Sequence, residues 1–254
     1  MGLNGKAVLP MVLGLGCDTM ATMTTRILDT EKDRTIVTLL LALGVPCSAQ
    51  LGVILGMFAG LPFLYIFIWV ALISAIMVMV GYLAARVIPG EGSDFILEIP
   101  PLRIPQLSNV VVKTLARIEW YLKEAVPLFI LGTLILFTLH QTKGLTFLEW
   151  AASPVIIHFL DLPAKATEAF IIGFLRRDYG AAGLFMMAKE GQLSPHQVLV
   201  SLVTITLFIP CIAQFFMMIK ERGLKRTLWM TVVIFPIAFG VGGALNFVLK
   251  FLGV

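Results

Sequence analysis

The sequence predicts an all-α polytopic membrane protein, and three observations carry that reading. Hydrophobic residues make up 59% of the chain and charged residues 13%, against roughly 25% charged in a soluble domain. The apolar residues gather in runs long enough to cross a bilayer, so the 254 residues hold roughly six to eight segments of about 20 residues each once loops are subtracted. One five-residue pattern occurs twice inside such runs: Pro46-Cys47-Ser48-Ala49-Gln50 and Pro210-Cys211-Ile212-Ala213-Gln214. A proline inside a helix removes a backbone hydrogen bond and clashes with the preceding turn. In hydrocarbon the carbonyls it frees need other partners. Two membrane helices broken at matching places point to a binding site between repeats.

The first apolar stretch, Ala7 to Leu28, holds Gly14, Gly16, Asp18 and several threonines. An acid inside an apolar run is a functional candidate, so the expectation is a re-entrant or broken helix. Thr30 and Asp33 then form a capping-box-like start for a second segment, Thr35 to Gly60, broken at Gly44-Val45-Pro46. The third segment, Pro62 to Ala85, is apolar throughout, with Tyr65, Trp69 and Tyr82 as candidate interface aromatics. Residues 86–123 are the most polar region. Pro100, Pro101 and Pro105 keep its first part extended. From Ser108 the spacing of Val111, Val112, Leu115, Ile118 and Leu122 is helical, which reads as an amphipathic surface helix. It leads into a fourth span, Val126 to His140. Leu145 to Leu162, interrupted by Pro154 and Pro163, reads as interfacial. Thr167 to Lys189 carries Arg176-Arg177-Asp178, which cannot face lipid cheaply. Two further spans follow, near Gln197 to Ile219 and Thr227 to Leu249.

The formal charge of +4 does not point to nucleic acid, because the basic residues lie mainly between apolar runs, where they set topology. Residues 26–34, 86–123 and 220–226 are basic and belong on the cytoplasmic side. Lys143 and Lys165 are left outside. For residues 220–226 to return inside, Thr167 to Lys189 must make no net crossing, so it reads as a re-entrant hairpin. The three cysteines, Cys17, Cys47 and Cys211, all lie in apolar, Gly- or Pro-containing stretches, which argues against a secreted disulfide framework.

Polar residues inside the apolar runs are Cys17, Asp18, Cys47, Gln50, Glu168, Asp178, Cys211 and Gln214, with Met20 and Met23 nearby. Thiolates and thioethers favour soft or borderline ions, whereas carboxylates and carboxamides suit harder ones. The mixture fits Fe(II) or a similar first-row ion in transit, with Cys17, Asp18, Cys47, Gln50, Cys211 and Gln214 as the candidate path. Neither a C-x-x-C nor a paired-histidine zinc pattern is present, and His140, His158 and His196 are isolated. Arg176, Arg177 and Asp178 read either as an internal ion pair that holds the hairpin or as a substrate contact. Pro46 and Pro210 shape the breaks. No G-x-x-x-x-G-K-[ST] pattern occurs, and no bound cofactor or enzymatic constellation is expected.

Gly14-Leu15-Gly16-Cys17-Asp18 with Thr25-Arg26, the two Pro-Cys patterns, and Gly173-Phe174-Leu175-Arg176-Arg177-Asp178-Tyr179-Gly180-Ala181-Ala182-Gly183 together resemble the membrane part of the ferrous iron transport protein B family. The resemblance covers nearly all the chain in order. It implies two gate repeats that form an Fe(II) path, with the three cysteines on it, in a bacterial inner membrane. Residues 1–85 would be a partial first repeat, 86–124 a cytoplasmic linker, and 125–254 the second repeat. Family members start with a cytoplasmic GTPase domain that this sequence does not encode. They also often show Gly-Cys-Asn with a nearby proline where this chain has Gly16-Cys17-Asp18-Thr19-Met20. The expectation is therefore a fragment or one product of a split gene. The bilayer, a separate GTPase subunit and further copies of the chain are its candidate partners. The competing readings are a non-transporting membrane subunit and a nucleoside or small-solute carrier.

The charge rule is open to a direct check. A cysteine placed at Lys225 is expected to resist an impermeant thiol reagent applied outside intact cells. Labelling there contradicts the assigned orientation.

Overall fold

Glycines, prolines and single polar residues divide the apolar runs into helices that stop and restart at membrane depth. The computed structural model describes residues 3–90, 106–141, 144–208 and 210–251. Two short helices come first, α1 (Val8–Gly14) and α2 (Asp18–Thr24). A second broken helix follows as α3 (Glu31–Gly44) and α4 (Ser48–Phe58), then an unbroken one, α5 (Phe63–Val87). The bridging helices are α6 (Leu107–Gln141) and α7 (Gly144–Leu160). The opening series then recurs. α8 (Ala164–Leu175) and α9 (Arg177–Lys189) form a hairpin of two short helices, α10 (Pro195–Leu207) and α11 (Ile212–Arg222) a broken helix, and α12 (Leu224–Phe251) is unbroken.

Local chemistry sets these boundaries. The Thr30 hydroxyl accepts the Asp33 amide (3.1 Å) and starts α3. Ser194 and Gln197 form a reciprocal capping box for α10, with Pro195 at its first position. Gly223, at φ +80°, makes the turn from α11 to α12. At each break the residue ahead of the second half, Cys17, Cys47, Arg176 or Cys211, leaves helical geometry.

Among the described residues, four helices are long and apolar enough to cross a membrane, counting each proline-broken pair as one. The two broken ones are central: 67% and 82% of their apolar windows are buried, against 28% and 33% for α5 and α12. Every residue from Thr35 to Gly44 and from Val198 to Leu207 is buried. The two series interlock. α4 packs on α9, α11 packs on α2, and α3 packs on α10.

Residues of the segments 26–34 and 220–226 meet at one end of the molecule, with Gly90 beside them. Arg26 Nε donates to Glu221 (2.9 Å), Arg226 to Glu31 (2.6 Å), and the Lys32 ammonium to the Gly90 carbonyl (3.0 Å). Buried Arg222 donates to the Thr25 hydroxyl (2.6 Å). The extended proline segment expected at residues 99–105 lies outside the described residues.

The amphipathic helix leads without interruption into the fourth span as one 35-residue helix, α6, which runs through Pro127. Two expectations are corrected. α7 continues through Pro154; a proline is tolerated in an apolar helix whose neighbours re-satisfy the freed group. Trp69 is not an interface aromatic. It is 7% exposed, and its indole N–H donates to Thr206 Oγ1 (3.3 Å). Tyr82 is exposed and lies beneath the Arg86 guanidinium.

The Thr167 to Lys189 stretch is a helical hairpin, α8 against α9. A Cβ added at Gly180 would overlap Gly173 Cα and the Ala169 carbonyl, which are backbone atoms that cannot step aside. Gly180→Val is therefore expected to part the hairpin and reduce folded protein, as read by fluorescence size-exclusion chromatography. Gly52→Ala, where a Cβ meets nothing within 4 Å, is the control and should leave the profile unchanged.

Candidate functional site

The four breaks surround one cavity of about 190 Å³. Its wall consists of residues 16–19, 47–49, 176–178 and 211–213, with Gly132 and Thr133 of α6 alongside. Cys17, Cys47 and Cys211 all line it, and all three are free thiols of intermediate exposure. They come from three separate breaks and occupy the same position in each, the residue just before the second half-helix. Arg176 holds that position in the fourth break. The Ser48 hydroxyl and amide both donate to the Gly16 carbonyl (3.0 and 3.3 Å), which ties the first break to the second.

Arg177, the next residue, is 3% exposed. Its Nη1 donates to Asp18 Oδ2 (3.0 Å) and to the Val45 carbonyl (3.2 Å). Its Nη2 donates to the carbonyls of Thr206 (2.7 Å), Phe208 (3.0 Å) and Ala42 (3.5 Å). Two of these acceptors are the ones that proline chemistry singles out. A helical N–H bonds the carbonyl four residues earlier. Pro46 cannot bond Ala42, and Pro210 cannot bond Thr206. One guanidinium thus takes the carbonyl orphaned by each proline, from α3 and from α10. Asp18 supplies the counter-charge that an arginine at this depth requires.

The sequence-predicted residues divide as follows. The three cysteines and Asp18 meet at the cavity. Asp18 Oδ2 is held by Arg177, while buried Oδ1 has no hydrogen-bond partner. Gln50 and Gln214 are fully buried but do not line the cavity. Gln50 Nε2 donates to the Ile205 carbonyl (3.2 Å) and Gln214 Nε2 to Thr22 Oγ1 (3.3 Å), each reaching into the other series. Their Oε1 atoms are buried without partners. Glu168 is exposed and Met23 is buried. Asp178 pairs with Arg176 (2.9 Å), both about one-third exposed, and Arg176 covers the Tyr179 ring at 4.1 Å. The deep ion pair is thus Arg177 with Asp18 from the other series, and the Arg176–Asp178 pair is the shallow one. The sequence carried a signal for it: Asp18 and Arg177 both open a half-helix after a break, with opposite charge. Among the described residues no three His, Cys, Asp or Glu side chains stand close enough to hold a metal ion.

Comparison with known proteins adds three findings. A family model described as nucleoside recognition, the gate family, matches residues 1–61 and 122–225. A model described as the ferrous iron transport protein B C terminus matches residues 66–117. Proteins named Fe(2+) transporter FeoB are similar to this chain. The one from Methanocaldococcus jannaschii is 27% identical across 90% of this chain and 39% of its own length, and the one from Staphylococcus aureus (strain COL) is 24% identical across 84% and 36%. The Salmonella typhimurium protein is 28% identical across 54% and 18%. The chain therefore spans well under half the length of these relatives. No solved structure matches.

Removing one member of a buried ion pair costs about 3–5 kcal/mol. Arg177→Met should accordingly reduce folded protein sharply, since it strands Asp18 and frees the carbonyls. Asp18→Asn keeps an acceptor for Arg177 and should be milder. Asp178→Ala, at a partly exposed pair, should change the folded amount little. Wild-type thermal stability in Arg177→Met would remove the pair from its structural role.

Proposed function

Since the chain belongs to the gate family and carries the membrane region of ferrous iron transport protein B, we propose that its central cavity is part of a path for Fe(II) across the bilayer. The observation that carries this reading is the meeting of three thiols, each set at the start of a different half-helix, on one cavity between central helices. Thiol sulfur binds a borderline ion such as Fe(II) better than it binds Mg(II) or Ca(II). Asp18 Oδ1, buried and unpartnered beside them, is a harder ligand of the kind the same ion accepts on the way through. Gln50 and Gln214 serve in this reading as braces between the two series.

A second reading, passage of a nucleoside or similar solute, is favoured by the description of the gate model. Against it stands the cavity of about 190 Å³, below the roughly 300 Å³ at which small-molecule pockets begin. A third reading, a membrane subunit with no path of its own, leaves the meeting of the thiols without a role. The partners proposed for the Fe(II) reading are a separate GTPase chain and further copies of this chain.

The test is uptake into proteoliposomes under anaerobic conditions, with and without a GTPase chain from the family. Cys17→Ser, Cys47→Ser and Cys211→Ser should each lower Fe(II) uptake about tenfold or more, the loss of one ligand worth at least about 1.4 kcal/mol, with folded protein unchanged. Uridine should not enter. Full Fe(II) uptake by the triple Ser variant, or uridine uptake that survives it, overturns the reading.

A further inference from the structure

The Arg177 side chain has a property that the ion-path reading does not use. Its Nη2 carries two protons but faces three carbonyls, Ala42 on α3, Thr206 on α10 and Phe208 just past the end of α10. The donors are outnumbered, so tighter bonding at one break is bought at the expense of the other. The distances already show this imbalance: the α10 break is held at 2.7 and 3.0 Å, and Ala42 on the α3 side at 3.5 Å. Each break leads directly to a cavity thiol, Ala42 and Val45 to Cys47, Thr206 and Phe208 to Cys211. Asp18 holds the buried guanidinium through Nη1, which leaves Nη2 as the contact the two breaks share.

We propose that Arg177 is a positioning residue that couples the two breaks reciprocally. When the guanidinium is drawn toward α10, the α3 break and Cys47 are released; when it is drawn toward α3, the α10 break and Cys211 are released. The two halves of the cavity wall then loosen in alternation. This goes beyond the Fe(II) reading and does not depend on it, since it concerns backbone acceptors and one side chain only. A device of this form would let a path open on one side while its other side is held.

The experiment is a mutant cycle read by thiol alkylation, on full-length chains that keep only Cys47 or only Cys211, with no metal present. Pro210→Ala restores an N–H that can bond the Thr206 carbonyl. That frees Nη2 for Ala42, so Cys47, on the far break, should react at least about twofold more slowly with N-ethylmaleimide, the scale of coupling between groups that share a partner. Pro46→Ala should slow Cys211 in the same way. Both effects should vanish when Arg177 is also replaced by Lys, whose ammonium cannot span the two helix ends. A purely structural role for Arg177 would leave each proline substitution without effect on the opposite thiol. Unchanged or faster alkylation at the far thiol, or slowing that persists in the Arg177→Lys background, overturns the proposal. If Arg177→Lys does not fold, the pair of reciprocal slowings decides alone: both present supports coupling, and either one missing refutes it. Because no ion is used, the result stands apart from the outcome of the Fe(II) uptake test.

Discussion

A backbone carbonyl in hydrocarbon must find a donor, and this molecule meets that demand at its two central breaks with one side chain. Pro46 and Pro210 deprive Ala42 and Thr206 of their helical donors, and Arg177 supplies both. Each unsatisfied buried polar group costs on the order of 1–3 kcal/mol, so two bare breaks would be a heavy burden on a single-domain stability of about 5–15 kcal/mol. The remedy introduces a charge at depth, and Asp18 neutralises it. The two series of helices are thereby joined through their least regular backbone.

Those breaks also produce the chemistry. A continuous helix presents only side chains to its surroundings. A broken one turns its chain ends toward a shared space, and here four such ends enclose the cavity. The thiols sit where the backbone leaves helical geometry, so their positions follow from the breaks and not from the helix faces. The Ser48 bonds to Gly16, the Gln50 bond to Ile205 and the Gln214 bond to Thr22 hold the ends in register. What the bundle places in the membrane is a compact polar cluster with an apolar exterior.

Much of this was legible in the chain. The doubled Pro-Cys pattern located two breaks, Gly16-Cys17-Asp18 a third, and the charge rule made residues 167–189 turn back on themselves. The failures share a physical cause. In a soluble helix, apolar periodicity marks the buried face; in a membrane helix, lipid-facing and protein-facing residues are equally apolar. Trp69 therefore looked like an interface residue while it bonds Thr206. Pro154 reads as an interruption because helix propensity is measured in water, yet α7 continues through it. Asp18 does line the cavity, but its bond to Arg177 spans 159 positions and has no signature in the local sequence. The bonds of Gln50 to Ile205 and of Gln214 to Thr22 are equally distant in sequence.

The central claim is that the Arg177 guanidinium occupies the place of the missing prolyl donor at Thr206. Solid-state NMR on membrane-embedded protein, with guanidino-¹⁵N arginine and carbonyl-¹³C threonine, measures this directly. A hydrogen bond puts the guanidinium nitrogen within about 4 Å of the carbonyl carbon. The account predicts dephasing of one threonine carbonyl by arginine side-chain nitrogen, lost when Arg177 is replaced by Lys. A spectrum in which no threonine carbonyl lies that close to an arginine side chain would contradict it.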